Sequence, residues 1–395
     1  MNSSESRQLL DDVEAFCQEI RPIEELCYVE HRFNDQVVPL GRKYNILGMP
    51  VPVKYGGRGA DTVTYARALA RIGREGTGVR TFFSGHTSIG EYPIFTWGND
   101  DQKRRYLPAA CRGEKILAFG LTEPDAGSNP LQMQSTYESR GGHYLLSGVK
   151  YLISNGGIAD AVVVFAYPKG KEGGKDGGRV SAFILDTNTP GFAKEDLVAK
   201  VGMPSANTAM FEMSECKVPA SNLLGEEGSG FRIAMGTLVS GRISVASGCL
   251  GVIEDCLTEA ANYAKERQQH GKEIARHQLV QEHIAHIEMD RLATEALVMK
   301  AAEAKDASHV EPQNAELKAK AELLAAQAKL FAANAAWDAA DRAVQVYGGR
   351  GWSTLYRPGR HLMDVRVCRI YEGTDEILRL KIAAAVLGKE YEAYK

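Results

Sequence analysis

The sequence predicts a mainly helical α+β protein with an N-terminal helical domain (residues 1–115), a middle β domain (116–228) and a C-terminal helical bundle (229–395). Three observations carry this. Apolar residues recur every three or four positions over residues 4–106, the stripe of amphipathic helices. Residues 116–224 hold short runs rich in Val, Ile, Phe and Tyr, separated by Gly, Asn and Pro, which mark strands. From residue 231 onward the helical period returns. The 395 residues, 44% of them apolar, suit two or three packed units of roughly 100–200 residues each.

In the first part, Leu9, Val13, Phe16 and Ile20 form one stripe and Tyr65, Leu69 and Ile72 another, with Asp61 or Thr62 placed to cap the later helix. In the middle part, HYLLSGVKYLIS, ADAVVVFAY, RVSAFILD and AMFEMSECKV read as strands. The glycine-rich stretch at 170–178 reads as a polar hairpin loop, since no strand–GxGxxG–helix context makes it a phosphate cradle. In the last part, one long helix covers about residues 279–305. A second opens at Pro312 or Asn314, closes at Gly348-Gly349, and carries Leu317, Leu324 and Phe331 at seven-residue intervals beside Ala321, Ala328 and Ala335. Alanines on one stripe permit close helix packing, and several long helices without a sheet imply a bundle.

Composition excludes several function classes. With 47 Lys and Arg against 50 Asp and Glu the net charge is −3, and the pI of 6.3 gives no electrostatic case for nucleic-acid binding. The longest apolar run, residues 161–167, falls far short of the roughly 20 residues that span a bilayer. The N-terminus has no apolar core and carries Glu5, Asp11 and Asp12 early, against a targeting peptide. Seven cysteines without a CxxC pair read as free thiols in a reducing compartment. A cytoplasmic protein without membrane or nucleic-acid partners is expected.

Three stretches differ from structural filler. Residues 119–130 (FGLTEPDAGSNP) place Thr122, Ser128 and free amides in a turn that suits a planar, partly anionic ligand, or is an ordinary turn. Residues 150–157 (KYLISNGG) end a strand at Ser154 in a tight glycine turn, a ligand edge or a plain hairpin. Residues 369–377 (RIYEGTDEI) let Thr374 cap the final helix, with Asp375 and Glu376 in its positive first turn. Glu372 then lies just outside, next to Gly373, which leaves room for close approach of a ligand. His283 and His286 stand one helical turn apart but lack HEXXH order and a third ligand, so they read as helix-face histidines, with no metal expected. GxSxG and a complete dinucleotide fingerprint are missing.

In this order, LTEPDAGS, YLISNGG, ERQQHGKEI, AVQVYGGRG and IYEGTDEI resemble the acyl-CoA dehydrogenase family over essentially the whole chain. The resemblance implies a helical, β and four-helix-bundle architecture, FAD as cofactor, an acyl-CoA substrate oxidised to the trans-2-enoyl-CoA, a homotetramer and electron transfer to an electron-transfer flavoprotein. It implies that Phe119, Leu121 and Thr122 line the flavin, that Ser128 meets the CoA arm, and that Leu152, Ile153 and Ser154 lie on the flavin face. Arg267 and Gln278 would reach the FAD diphosphate and adenosine part, with Gln345, Gly348 and Gly349 doing so from a neighbouring chain. Thr374 and Glu376 would complete the pocket, Gly373 and Arg242 would meet the substrate, and Glu372 would be the catalytic base. Leu152 stands where Trp is frequent, and His270 where Phe is usual. Arg80 resembles the arginine that glutaryl-CoA dehydrogenases set against a distal carboxylate, or is a helix arginine pairing outside the cavity, and Gly73 occupies the place of the second acid in decarboxylating relatives. The alternatives are a carrier-protein-bound acyl thioester as substrate, or a nucleic-acid-associated flavoprotein of the same fold.

The implied chemistry has its own demands. No side chain accepts hydride reversibly, so a flavin must. A carboxylate with an ordinary pKa of about 4.3 is too weak to take a thioester α-proton unless desolvation raises it.

Overall fold

The computed structural model describes residues 1–170, 179–391 and 393. The expected loop at 170–178 lies, except for Gly170, outside the described residues. The N-terminal helices are α1 (Ser3–Val29), α2 (Val37–Lys43), α3 (Thr62–Gly73), α4 (Thr77–Phe83), α5 (Tyr92–Trp97) and α6 (Asp100–Cys111), with a π-helical stretch Ser84–Glu91 between α4 and α5. Leu9, Val13, Phe16 and Ile20 of α1 are fully buried with Tyr65, Leu69 and Ile72 of α3. Each such side chain contributes roughly 1.5–3 kcal/mol. Asp61 caps α3 by accepting from the Thr64 N–H at 2.7 Å.

Among the described residues eight strands follow: β1 (Leu117–Gly120), β2 (Thr136–Ser139), β3 (His143–Ser154), β4 (Ala161–Pro168), β5 (Ser181–Asp186), β6 (Phe192–Asp196), β7 (Thr208–Pro219) and β8 (Leu223–Leu224). They pair in the order β6-β7-β3-β2-β4-β5-β8, with β1 parallel on β4. β4 is buried along nearly its whole length, which explains its unbroken apolar run. The register of β3 on β7 shifts between Lys150 and Ile153, and Leu152 within that bulge has φ +60°.

The C-terminal part packs α7 (Gly230–Glu266), α8 (Gln278–Val310) and α9 (Ala315–Tyr347), with α10 (Arg357–Val365) and α11 (Asp375–Leu387) laid against them. By length and composition α7 could cross a membrane, but 89% of its apolar window is buried inside the protein, as befits a core helix. Asn314 caps α9, accepting from the Glu316 and Leu317 N–H groups. Ala321, Ala328 and Ala335 face inward, whereas Leu317 and Leu324 are half-buried and Phe331 is exposed. The inner seam of α9 is thus built from alanines, which bring α7 and α8 close. α3 crosses α7 backbone to backbone: a Cβ on Gly73 would lie 2.5 Å from the Gly248 carbonyl oxygen, and one on Gly251 would lie 2.0 Å from the Ala70 oxygen.

Candidate functional site

Two of the singled-out motifs meet at the edge of the sheet. The Tyr151 N–H donates to the Thr122 carbonyl at 2.9 Å, and Lys150 Nζ donates to Glu123 Oε1 at 2.7 Å. Glu123 also accepts from the Gln134 and Ser135 N–H groups. Burial alone would raise the Glu123 pKa, but Lys150 and these amides outweigh it and hold the carboxyl below its ordinary value. Lys150 is fully buried. This pairing keeps the turn after β1 against the end of β3. Sequence reading missed it, although Glu123 and Lys150 sit inside the two motifs.

The strand end itself requires a correction. Ile153 was expected on the ligand face with Leu152 and Ser154. Instead it is 3% exposed and packs in the sheet core with Ala209 and Phe211. Strand alternation turns successive side chains to opposite faces, and the bulge at Leu152 leaves that side chain 56% exposed with Ser154 half-buried. Phe119 and Leu121 lie nearly buried in the neighbouring core, Phe119 with its ring 5.0 Å from that of Phe165. Thr122 is half-buried and Ser128 exposed.

Glu372 occupies a turn between the 3-10 helix Arg366–Arg369 and α11. Its φ is +57°, and that of Gly373 is +103°, two successive left-handed residues of which only the glycine is at ease. Arg242 Nε of α7 donates to the Glu372 carbonyl at 2.9 Å, and Lys329 Nζ of α9 donates to the Gly373 carbonyl at 2.7 Å. Thr374 caps α11 through the Ile377 N–H, while Glu376 points to solvent beside Arg379. The Glu372 carboxylate lies against Gly241, where a Cβ would stand 2.4 Å from both of its oxygens. Its Oε2 is sealed from solvent and has no hydrogen-bond partner among the described residues. Burial raises its pKa, Arg242, Lys329 and Arg80 pull it back, and the carboxyl settles at about 7.

Arg80, on α4, is fully buried. Its guanidinium donates to the Tyr371 hydroxyl, lies 3.9 Å from Cys368 Sγ and leaves Nε without a partner. No carboxylate among the described residues lies within ion-pair distance of it. A Cβ on Gly248 would meet Arg80 Nε at 2.5 Å, so glycine there makes space for this side chain. Arg80 therefore adjoins the Glu372 turn rather than pairing elsewhere on the helix.

At the far end of the bundle, Tyr263 and Tyr347 stack with ring centroids 4.2 Å apart. They bring Arg267, Gly348, Gly349 and Arg350 onto one cleft of about 540 Å³. Arg267 and the glycine pair were expected to reach one ligand from different chains, but within a single chain they already form one surface. Gln345 and Gln278 are exposed. His283 and His286 both face Glu282, at 3.7 and 2.9 Å, and among the described residues no group of three potential ligands forms a metal site.

The chain matches the acyl-CoA dehydrogenase N-terminal domain over residues 3–114, the middle domain over 118–216 and the C-terminal domain over 228–387. The chain belongs to the acyl-CoA dehydrogenase family. It is 40% identical over 371 residues to an acyl-CoA dehydrogenase of Bacillus subtilis, covering 94% of each chain. Among solved structures it resembles glutaryl-CoA dehydrogenase with glutaryl-CoA (TM-score 0.91, 32% identity, 100% and 98% coverage). It also resembles a chain in the structure of the electron transferring flavoprotein of Acidaminococcus fermentans (TM-score 0.91, 33% identity, 98% and 99% coverage). The protein is an acyl-CoA dehydrogenase, an oxidoreductase of CH–CH bonds with FAD as cofactor. The residues suit that group. Leu152 presents bare apolar surface at a strand end, and nothing stands within 4 Å of where a Cβ on Gly348 or Gly349 would project. Sequence reading missed Lys329 and Gly241. A lysine within the alanine seam of α9 was the available signal for the first, and Gly241 carried none.

Proposed function

We infer that this acyl-CoA dehydrogenase converts an acyl-CoA to the trans-2-enoyl-CoA with Glu372 as base, and that Arg80 selects acyl groups ending in a carboxylate. The observation that carries the base assignment is the sealed, unpartnered Glu372 Oε2 with its pKa near 7. A general base works best when its pKa lies near the working pH.

Thr122, Leu152, Ser154, Thr374 and Glu376 would hold FAD at the sheet edge, and Arg267, Gln278, Gln345, Gly348 and Gly349 would hold its far end. When bound, FAD supplies the acceptor for the Cβ hydride. Glu372 takes the α-proton onto its carboxylate. The Glu372 N–H has no acceptor among the described residues, so it is available to the thioester oxygen as charge develops there. Gly241 lies against the carboxylate and leaves it room, and Ser128 and Arg242 would meet the CoA arm and its approach to the turn.

Arg80 is a buried cation without an acid, which suits a ligand that brings one. Gly73 cannot carry the second acid of decarboxylating relatives, because the α7 backbone occupies the space of its side chain. The reading is therefore oxidation of a dicarboxylic acyl-CoA without loss of CO₂. Electrons would pass to an electron-transfer flavoprotein in the cytoplasm. Exposed Leu279, Met289 and Leu292 on α8 would be covered in a homotetramer, which light scattering tests, a FAD-saturated monomer being the contrary result.

The deciding experiment is anaerobic bleaching of the bound flavin by a panel of acyl-CoAs and carrier-loaded thioesters. Glutaryl-length dicarboxylic acyl-CoA should bleach it without releasing CO₂. Bleaching by carrier-loaded thioesters alone would overturn the CoA assignment. Arg80→Ala should impair the dicarboxylic substrate far more than butyryl-CoA. Equal losses on both would return Arg80 to a packing role.

A further inference from the structure

Lys329 is a costly residue to find where it stands. Its side chain is fully buried on the alanine seam of α9, and no carboxylate among the described residues lies within ion-pair distance of its nitrogen. A buried ammonium without a counter-ion is strongly disfavoured, and an apolar residue of similar size would stabilise the bundle better. Among the described residues its side chain makes one hydrogen bond, to the Gly373 backbone carbonyl at 2.7 Å. That carbonyl belongs to the left-handed pair which carries the base. The preceding carbonyl, of Glu372, is held by Arg242 from α7. Cations from two helices thus grip two consecutive carbonyls of one strained turn.

We propose that Lys329 is a positioning residue for the reaction: it holds the Glu372–Gly373 turn through the Gly373 carbonyl and supplies buried positive charge beside the catalytic carboxylate. The proposal rests on Glu372 being the base. The charged and titratable groups around Lys329 and that carboxylate come from several packed elements. They are Arg242 and Cys249 of α7, Lys329 of α9, Arg80 of α4, Cys368 and Tyr371 of the preceding segment, and Asp375 of α11, which is neutralised by Arg369 at 2.8 Å and bonded by Asn334. All three cations favour the ionised base, and burial opposes it. Removing one cation leaves burial less opposed, so the base should take up its proton at higher pH. The reactive form is the carboxylate, so the acid limb of the rate profile should move the same way.

The test uses the FAD-loaded enzyme with Lys329→Gln, Lys329→Met and Lys329→Arg. Glutamine keeps a donor for the Gly373 carbonyl without the charge, methionine removes both, and arginine keeps the charge. Two readouts are followed from pH 5.5 to 9. One is the rate of flavin reduction. The other is the infrared carboxylic-acid band that disappears in Glu372→Gln. In Lys329→Gln both should shift upward by about one pH unit, with most of the rate recovered at pH 9 and KM little changed. Lys329→Met should add a lower plateau, and Lys329→Arg should stay near wild type. If Lys329→Met does not fold, the glutamine variant alone decides the question. An infrared titration and acid limb in Lys329→Gln that coincide with wild type would overturn the proposal. Failure of the base assignment looks different: Glu372→Gln would then bleach at a near wild-type rate, while the infrared titration would still report whether Lys329 acts on Glu372.

Discussion

Two glutamates, each with a lysine nearby, hold their protons in opposite ways. At the sheet edge, Glu123 has an ammonium at 2.7 Å and two backbone amides, and its carboxyl is held below the ordinary value. In the C-terminal turn, Glu372 has three cations around it, yet its Oε2 receives no hydrogen bond and its pKa climbs to about 7. The lysines explain the difference. Lys150 donates directly to its carboxylate, whereas Lys329 spends its donor on the neighbouring backbone. A fully satisfied buried ion pair orients a turn and does no chemistry. A carboxylate denied its donors but kept within reach of positive charge can exchange a proton near neutral pH.

That contrast breaks first at Glu372. Glu372→Gln should fold and stay yellow, with flavin reduction by substrate falling at least roughly 10²–10⁴-fold. Glu372→Asp should keep part of the rate. A near wild-type rate in the glutamine variant would place the base elsewhere. At the other pole, Lys150→Met strands Glu123 as a buried charge and should cost about 3–5 kcal/mol in urea unfolding. Adding Glu123→Gln should restore part of that loss, and no recovery would mean the pair contributes through packing alone.

A third carboxylate sharpens the comparison. Asp364 accepts from the Met203 N–H at 2.5 Å and the Tyr28 hydroxyl at 3.1 Å but has no cation within ion-pair distance among the described residues. Burial is the main reason that its pKa rises to about 8. Unfolded, the group should titrate near its ordinary value of about 3.9. Between those values the folded chain holds a proton that the unfolded chain releases. Each unit of rising pH there removes up to about 1.4 kcal/mol of stability, and the loss ends above the folded value. Asp364→Asn keeps an acceptor oxygen and removes the titration. Its unfolding free energy should therefore vary less between pH 6 and 8 than that of wild type, and parallel curves would contradict this. The smallest effect is expected at Gly241→Ala. Its methyl would push the Glu372 carboxylate aside, an off-rotamer cost of about 0.5–1.5 kcal/mol, or up to roughly tenfold in rate. Binding of FAD should be unaltered.

Much of this was legible beforehand. The helical period exposed α1 and α3, the β-branched runs exposed β3, β4, β5 and β7, residue type and position gave Thr374 as a cap, and they narrowed the other two starts to Asp61 or Thr62 and to Pro312 or Asn314. The motif at residues 369–377 singled out Glu372, and the family resemblance singled out Arg80, whose guanidinium meets the neighbouring Tyr371 hydroxyl. What stayed hidden depends on distant parts of the chain meeting. Lys329 is 44 residues from the carbonyl it serves, and Lys150 is 27 from its glutamate. The inward turn of Ile153 is what strand alternation dictates between Leu152 and Ser154; the hidden feature is the bulge at Leu152, which takes a left-handed conformation rare for a branched apolar residue. The stacking of Tyr263 on Tyr347, which gathers Arg267 and Gly348 onto one cleft, likewise appears only when α7 and α9 lie side by side.

The crossing of α3 over α7 bears on how such a protein could change its diet. Gly248 touches the backbone of Gly73 on one side and the shaft of Arg80 on the other, so a methyl on Gly248 would press on Arg80 and one on Gly73 would press on the Gly248 main chain. The spacing between the N-terminal helices and the bundle is set by main chain, leaving almost no adjustable material there. On the proposed role of Arg80, a lineage adapting to longer or uncharged acyl groups would change that residue of α4, while Gly73, Gly248 and Gly251 stay as they are. On that reading the route to new substrates is narrow, and it runs through replacement of one buried arginine.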